Sequence, residues 1–275
     1  MSTEPSTDPS AEPFAGPSTD PSTDLYDAYE AGLAPHRDLF ESAEALRTVM
    51  SPDCDPALFA HWMLRYSAHG TAMTAPVESW ITRAGEECVK RDSPRLGRAL
   101  KAHARAEAGH DGLMVADAGR IAAWIGERLG GRADAEALLG EAPLRSTHVY
   151  AGLHEEVIGG ATPQAQIAVE YEIERLAVVV GPRLLDNCRR VLGPDPSRYS
   201  FLAEHVELDV AHTAFNRRQM REVLGAQPYL LPAMTDAGQR ALAAYGGFIA
   251  ETVALATADV AAYAAAAKAT RTAAG

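Results

Sequence analysis

The sequence predicts an all-α protein, a bundle of helices built around one hydrophobic core. Alanine, leucine, glutamate and arginine dominate the composition and aromatic residues make up only 7%, which favours helix over sheet. Apolar residues recur at helical spacing through most of the chain. No stretch shows the alternation of β-branched residues that would predict a strand. At 275 residues, the chain can bury a substantial single core.

The N-terminal segment has a different composition. Residues 1–24 repeat short units of serine, threonine, an acidic residue and proline, and they contain no basic residue. Such a segment buries too little apolar surface to offset the entropy lost on ordering. We therefore expect a disordered tail over residues 1–24 and a folded helical domain over residues 25–275.

Capping and helix-breaking residues divide the rest of the chain into helices. Asp55-Pro56 and Ser93-Pro94 each place a favourable N-cap before a proline that fits the first helical turn. Gly130-Gly131 ends the long helix that begins at Ser93. The predicted helices cover 33–50, 56–73, 76–91, 93–129, 134–139, 146–158, 162–180, 183–192, 198–224 and 235–268.

Charge and cysteine content argue against several classes of protein. The net charge is −12 and no basic patch is visible, which argues against a nucleic-acid partner. Cys54, Cys88 and Cys188 are scattered and odd in number, unlike a disulfide framework or a zinc knuckle, and they fit a reducing cytoplasm. The N-terminus lacks the apolar core of a signal peptide, and no run approaches eighteen apolar residues. We therefore expect a cytoplasmic protein with no membrane partner.

A group of possible metal ligands lies in the predicted helix 198–224. His205, Asp209 and His212 follow at i, i+4 and i+7, a spacing that puts all three on one helix face within an apolar stretch. Two imidazoles and a carboxylate suit a divalent first-row metal. The alternatives are a solvated polar stripe, or a core histidine satisfied by the nearby aspartate.

The long predicted helix offers a second group. Glu107 and His110 form an i, i+3 pair that shares one face, although such a pair alone is weak evidence of a metal site. His103 precedes Glu107 by four residues, so the helix repeats the spacing found at 205, 209 and 212. His103 is open to three interpretations: a metal ligand, a contact behind the ligands or to substrate, or an exposed residue.

A third group lies on the predicted helix 162–180. Glu170, Glu172 and Glu174 alternate inside an otherwise apolar segment, and glutamate is rarely buried without a partner. At least one of the three is therefore expected to meet a cation. Their spacing alone does not select which one.

Taken together, the three groups resemble the heme-oxygenase-like non-heme diiron oxidases and oxygenases, which carry Glu-x-x-His, a lone glutamate and His-x3-Asp-x2-His in this order. The resemblance covers about residues 100–215 and implies the heme-oxygenase-like fold, an up-and-down helical bundle, with two iron ions in place of heme. It implies Glu174 as the central glutamate, because Tyr171 precedes it as in the family, with Glu170 in reserve. His103 would then lie behind the ligands or contact substrate. The implied metal ligands are Glu107, His110, Glu174, His205, Asp209 and His212.

The resemblance also implies an activity. We expect an O₂-dependent, desaturase-like oxidoreductase that abstracts hydrogen from a small aliphatic amino acid, leading to desaturation, ring closure or carbon–carbon cleavage in natural-product biosynthesis. The alternatives are N-oxygenation of an amine or amino acid, a metal-free cofactor-biosynthesis or thiamin-salvage member of the fold, and a non-catalytic helical scaffold. Electrons would come from an external donor, and a homodimer is a further expectation from the family. The arginines near the predicted site helices, as candidate partners of a substrate carboxylate, are Arg105, Arg198 and Arg217.

Overall fold

A computed structural model describes residues 21–130 and 133–273, and every regular element in these ranges is helical. Three short 3₁₀ turns, at Pro163–Ala165, Pro196–Tyr199 and Pro228–Leu230, precede longer helices. The helices are α1 (Pro21–Ser42), α2 (Glu44–Met50), α3 (Pro56–Thr74), α4 (Val77–Lys90), α5 (Pro94–Ala106), α6 (Asp111–Leu129), α7 (Ala135–Leu139), α8 (Arg145–Gly159), α9 (Gln166–Val179), α10 (Gly181–Leu192), α11 (Ser200–Ala226) and α12 (Leu231–Ala273).

The N-terminal boundary differs from the expected one. Helix α1 begins at Pro21, four residues before the expected domain boundary at residue 25. Proline fits the first turn of a helix, where its missing N–H has no intrahelical partner to lose. The expected tail over residues 1–20 lies outside the described residues. The predicted helix 33–50 is divided in two, because Ala43 adopts an extended conformation between α1 and α2.

The predicted helix 93–129 is likewise two helices. Helix α5 ends at Ala106 and α6 begins at Asp111, and Gly109 between them has a φ of 85°. A left-handed glycine is typical of a helix end, but the apolar spacing continues across it, so periodicity did not reveal the break. Glu107 and His110, predicted on one continuous helix face, therefore lie in a turn.

Gly109→Ala tests the role of this turn. A Cβ at Gly109 would contact nothing within 4 Å, so the cost of alanine there is the left-handed backbone alone. We expect the free energy of unfolding, measured by urea denaturation, to fall by about 1 kcal/mol. Gly112→Ala is the matched control, because Gly112 lies in α6 with equally open space around its Cα. The control should be neutral or stabilising, and equal losses in both variants would contradict this account of the turn.

The bundle is arranged around α12, which packs against α1, α3, α8 and α9, while α9 packs in turn on α11. By length and composition, the span Pro228–Ala266 could cross a membrane, a test that core helices of soluble proteins also pass. Within the bundle, Asp259 of α12 pairs with Arg65 of α3, and Glu251 accepts hydrogen bonds from Ser146 of α8. These polar contacts tie α12 to its neighbours as a core helix.

Two buried polar contacts hold the helices around the candidate site in position. Asp117 of α6 accepts hydrogen bonds from the backbone N–H groups of Ser200 and Phe201, at the start of α11. A carboxylate at a helix N-terminus satisfies donors that have no intrahelical partner and faces the positive end of the helix dipole. On the other side, Arg37 of α1 forms a two-point ion pair with Glu172 of α9. The first contact holds α6 against the start of α11, and the second holds α9 against α1.

Candidate metal centre

Four of the candidate ligands meet at the centre of the bundle. His103 from the last turn of α5, Glu107 from the following turn, Glu174 from α9 and His212 from α11 bring one ligand atom each to within 4.8 Å of all the others. The Nε2 atom of His103 lies 2.7 Å from Oε1 of Glu174. The Nδ1 atom of His212 lies 3.2 Å from Oε1 of Glu107 and 3.7 Å from Oε1 of Glu174.

Three residues form a second group beside the first. Glu107, His110 and His205 also bring one ligand atom each to within 4.8 Å of one another. Glu107 belongs to both groups, and its two oxygens face different ones: Oε1 faces His212, whereas Oε2 lies 3.1 Å from Nδ1 of His110. A carboxylate in this position can bridge two cations.

Asp209 lies at the edge of the first group. Its Oδ1 atom lies 3.3 Å from Nδ1 of His212, so this imidazole nitrogen faces carboxylate oxygens of Asp209, Glu107 and Glu174 together. Asp209 is buried. The outer face of α11 is more exposed to solvent than its apolar sequence predicted, since Val210 is 60% exposed. The buried face of α11 is the one that carries His205, Asp209 and His212.

Neighbouring groups hold several of these side chains in orientation. The side-chain amide of Asn216 donates a hydrogen bond of 2.6 Å to Oε2 of Glu174. Nδ1 of His205 donates to the backbone carbonyl of Phe201 at 2.8 Å, because a carbonyl can only accept. The donated hydrogen leaves Nε2 of His205 as the nitrogen with a free lone pair. Such contacts behind the ligands are typical of metal sites, where they set the tautomer and the direction of each donor atom.

The donor atoms are arranged to bind a metal ion and not to form hydrogen bonds with one another. Five of them are buried and find no hydrogen-bond partner among the described residues. Two ligands of one ion, with bonds of about 2.1 Å, are separated by about 3.0 Å at a right angle and by about 3.4 Å in a tetrahedron. The four closest pairs of donor atoms here are separated by 2.7 to 3.7 Å. The five atoms are His103 Nε2, Glu107 Oε1, Glu174 Oε1, Asp209 Oδ1 and His212 Nδ1.

The electrostatics of the centre favour positive charge. Asp209 and then Glu107 raise the pKa of His212 to about 10. Burial opposes ionisation of Glu107, but the neighbouring imidazoles of His110 and His212 outweigh it and hold the pKa of this carboxyl well below its usual range. Burial would likewise lower the pKa of His103, but the contact with Glu174 outweighs it and raises that pKa. The carboxylates of the site thus attract cationic partners, the property that also favours a divalent ion.

Glu170 lies one helical turn from Glu174 on the same face of α9, outside both groups. Burial raises its pKa to about 8, so the side chain is a neutral acid at physiological pH. The amide of Gln166 donates to Oε1 of Glu170 and also contacts Nδ1 of His154, at 2.7 Å. Burial raises the pKa of Glu174 as well, to about 7, against the opposing effect of His103.

The burial of His154 predicts that the free energy of unfolding depends on pH. It is fully buried and stacked on Trp80, and burial lowers its pKa to about 3. In the unfolded chain a histidine binds a proton near pH 6.5, so between pH 6.5 and 3 the unfolded state binds more protons and acid destabilises the fold. Below pH 6.5, His154 should make the free energy of unfolding fall by up to about 1.4 kcal/mol for each pH unit of acidification. We expect His154→Phe to remove this contribution. Urea unfolding of both proteins at pH 7.5, 6 and 5 measures this slope, and parallel lines would contradict the prediction.

Two apolar cavities of about 80 Å³ each border the centre. Asp209, His205, Phe201, Ile173 and Tyr245 line both of them. The described lining residues of both cavities include no lysine or arginine, and Arg105, Arg198 and Arg217 are not among them. The remaining lining of the first cavity includes Met73, Met114, Tyr150, Glu170 and Phe248.

The structure thus brings the six predicted ligands together from three segments of the chain: the turn between α5 and α6, helix α9 and helix α11. Among the three glutamates of α9, Glu174 enters the donor group, Glu170 lines the first cavity, and Glu172 pairs with Arg37 on the opposite face. Asn216 was missed by the sequence analysis, although it follows His212 by one turn on the same face and could have been noticed. Tyr245 was missed because nothing in its own helix distinguishes it from a core tyrosine.

Comparisons with known proteins agree with the fold and point to iron. Residues 119–246, somewhat less than half of the chain, match a family described as iron-containing redox enzyme. A domain of unknown function with a heme-oxygenase-like fold from Shewanella denitrificans OS217 superposes with a TM-score of 0.63 at 16% identity, over 85% of this chain and 90% of that one. A TenA homolog from Pseudomonas syringae pv. tomato DC3000 superposes with a TM-score of 0.66 at 13% identity, over 86% of this chain and 97% of that one. No curated protein matches the chain. The predicted heme-oxygenase-like fold is confirmed.

Proposed function

We propose that this heme-oxygenase-like helical protein is an O₂-dependent non-heme diiron oxidase. The observation that carries the proposal is Glu107, whose two oxygens face two different groups of donors. The match of residues 119–246 to iron-containing redox enzymes supports iron as the metal. A mixed imidazole and carboxylate set suits Fe²⁺.

In this proposal the position of each ligand decides which of the two ions it would hold. Glu107 would bridge the two ions, Glu174 and His212 would hold one, and His110 and His205 the other, with Asp209 beside His212. Two iron ions held in this way would supply the capacity to activate O₂.

Residues around the ligands have supporting roles. Asn216 and the carbonyl of Phe201 orient Glu174 and His205, so that the donor atoms need little rearrangement. Glu170, which accepts a hydrogen bond from Gln166 at Oε1, lies at the wall of the first cavity. The apolar lining excludes water from the site, which protects a strong oxidant from side reactions.

The cavities support an aliphatic group as the part of the substrate that is oxidised. Their lining is mostly apolar, with a wall formed by His205 and Asp209, so a C–H bond of the substrate would lie next to the metal centre. The lining offers no cation to a substrate carboxylate, so an uncharged aliphatic chain fits it better than a small free amino acid does. Oxidation of an amino acid and N-oxygenation of an amine remain predictions to be compared in one substrate panel.

Iron loading tests the proposal directly. Full-length protein is loaded anaerobically with Fe²⁺, mixed with O₂ and followed by stopped-flow absorbance, with amino acids, amines and aliphatic chains as substrates. We expect about two iron ions per chain and a transient visible band with the accepted substrate class. The absence of iron uptake would overturn the proposal.

Asp209→Ala is the companion variant. We expect it to lower O₂ consumption by about two orders of magnitude or more, with helical circular dichroism near that of the wild type. Glu207→Ala removes an exposed carboxylate from the same helix and should leave O₂ consumption unchanged. If Asp209→Ala consumed O₂ at the wild-type rate, the assignment of Asp209 to the site would be wrong.

A metal-free function of the same fold is the second candidate, favoured by the likeness to the TenA homolog. At 13% identity this likeness concerns the fold alone. Five buried donor atoms without hydrogen-bond partners among the described residues speak against a metal-free site, because each costs free energy unless it is paired. The iron titration separates the two candidates, since the metal-free one predicts no binding.

A further inference from the structure

His103 lies outside the ligand set that the family resemblance implies, yet it is one of the most enclosed side chains of the centre. It is 5% exposed and comes from the last turn of α5, one turn before Glu107. Its Nε2 atom is buried and forms no hydrogen bond with the described residues, although it lies 2.7 Å from Oε1 of Glu174. A histidine that served only the core would be expected to have this nitrogen satisfied.

The surroundings of His103 argue against a substrate contact. His103 is absent from the described lining of both apolar cavities, whereas Glu174, His205 and Asp209 all border the first one. Its ring instead stands at 84° to that of His212, with 4.9 Å between the ring centroids, and stacks near Phe215 on the other side. The nitrogen therefore points into the group of donors and away from the space available to a substrate.

The distances within the donor group fit His103 as a metal ligand alongside Glu174 and His212. Its Nε2 atom, Oε1 of Glu174 and Nδ1 of His212 lie within 4.8 Å of one another, with 2.7 Å and 3.7 Å from Glu174 to the two nitrogens. These separations bracket the ligand-to-ligand distances of about 3.0 to 3.4 Å expected around one ion. Glu107 completes the group, since its Oε1 atom lies 3.2 Å from the same nitrogen of His212.

We infer that His103 binds a metal directly through Nε2, in a four-donor site with Glu107, Glu174 and His212. The inference rests on the proposed function only in requiring a metal at this centre. The neighbouring site, with Glu107, His110 and His205, then has fewer protein donors. The two metal positions would differ in affinity and in coordination spectrum.

Cobalt binding tests this inference without O₂, substrate or turnover. Full-length protein is stripped with a chelator and titrated anaerobically with Co²⁺, whose visible absorption reports the number and type of its ligands. We expect the wild type to bind about two ions, and His103→Ala and His103→Gln to weaken one of them about tenfold or more and to change its spectrum. Both variants are used so that a folding defect of one does not decide the result.

Added imidazole separates ligation from positioning. In His103→Gly, free imidazole should occupy the vacated space and restore the wild-type cobalt spectrum, whereas His148→Ala, an exposed histidine variant, should match the wild type throughout. Two ions bound by His103→Ala with wild-type affinity and spectrum would overturn the inference and leave the proposed function standing. Binding lost in His103→Gly and not restored by imidazole would make His103 a positioning residue and also overturn it. A wild type that binds no Co²⁺ or Fe²⁺ would overturn the proposed function itself.

Discussion

Glu107→Gln is expected to reduce bound iron from about two ions per chain to less than one, and O₂ consumption to below about one hundredth of the wild-type rate. The amide keeps the size of the side chain but removes its charge, and its NH₂ group cannot bind a metal. One donor group loses its oxygen to the NH₂ group and the other keeps only an uncharged amide oxygen, because Oε1 and Oε2 of Glu107 face different groups. The loss should therefore exceed that of any variant confined to one group. Iron is measured after gel filtration and O₂ by electrode.

Glu127→Gln is the matched control for this variant. Glu127 is an exposed residue of α6, so its substitution makes the same change of charge away from the centre. It should bind iron and consume O₂ as the wild type does. If Glu107→Gln retained two ions at wild-type affinity, the bridging role of Glu107 would be refuted.

Arg37→Met is expected to destabilise the fold by about 3–5 kcal/mol. The guanidinium is buried between Glu172, which is fully enclosed, and Glu30, at distances of 2.6 to 2.8 Å for the closest contacts. Methionine has similar volume, but among the described residues it would leave the buried carboxylate of Glu172 with the Tyr29 hydroxyl as its only hydrogen-bond donor. An unpaired buried charge costs far more than the pair gains. Urea denaturation followed by circular dichroism measures the loss.

Arg83→Met provides the comparison. Arg83 makes an equally short two-point contact with Glu155, but both side chains are exposed to solvent. Its loss should cost less than about 1 kcal/mol, because water screens an exposed pair. The double variant Arg37→Met with Glu172→Gln should recover part of the stability, since the stranded charge is then removed. Equal losses for Arg37→Met and Arg83→Met would contradict the assignment of Arg37 as a buried anchor of α9.

Local sequence signals identified most helices of this chain. Asp55 accepts a hydrogen bond from the N–H of Leu58 at the start of α3, as its position before Pro56 predicted. The error in the helix predicted over 93–129 has a physical cause. The apolar spacing of α5 continues in phase through the turn into α6, and a single glycine in a left-handed conformation is enough to separate the two helices.

Within α11, the sequence by itself determined which residues share the face of the candidate centre, because a helix of fixed pitch puts His205, Asp209 and His212 on one side whatever it packs against. Only the tertiary structure decided which glutamate of α9 meets them. Glu170 and Glu174 share one face and Glu172 the other, and the packing of α9 against α11 and α12 turned Glu174 to the donors and Glu172 to Arg37 of α1. The place of His103 was decided in the same way, since its distance to Glu174 depends on how two helices far apart in sequence cross, and no local spacing encodes that.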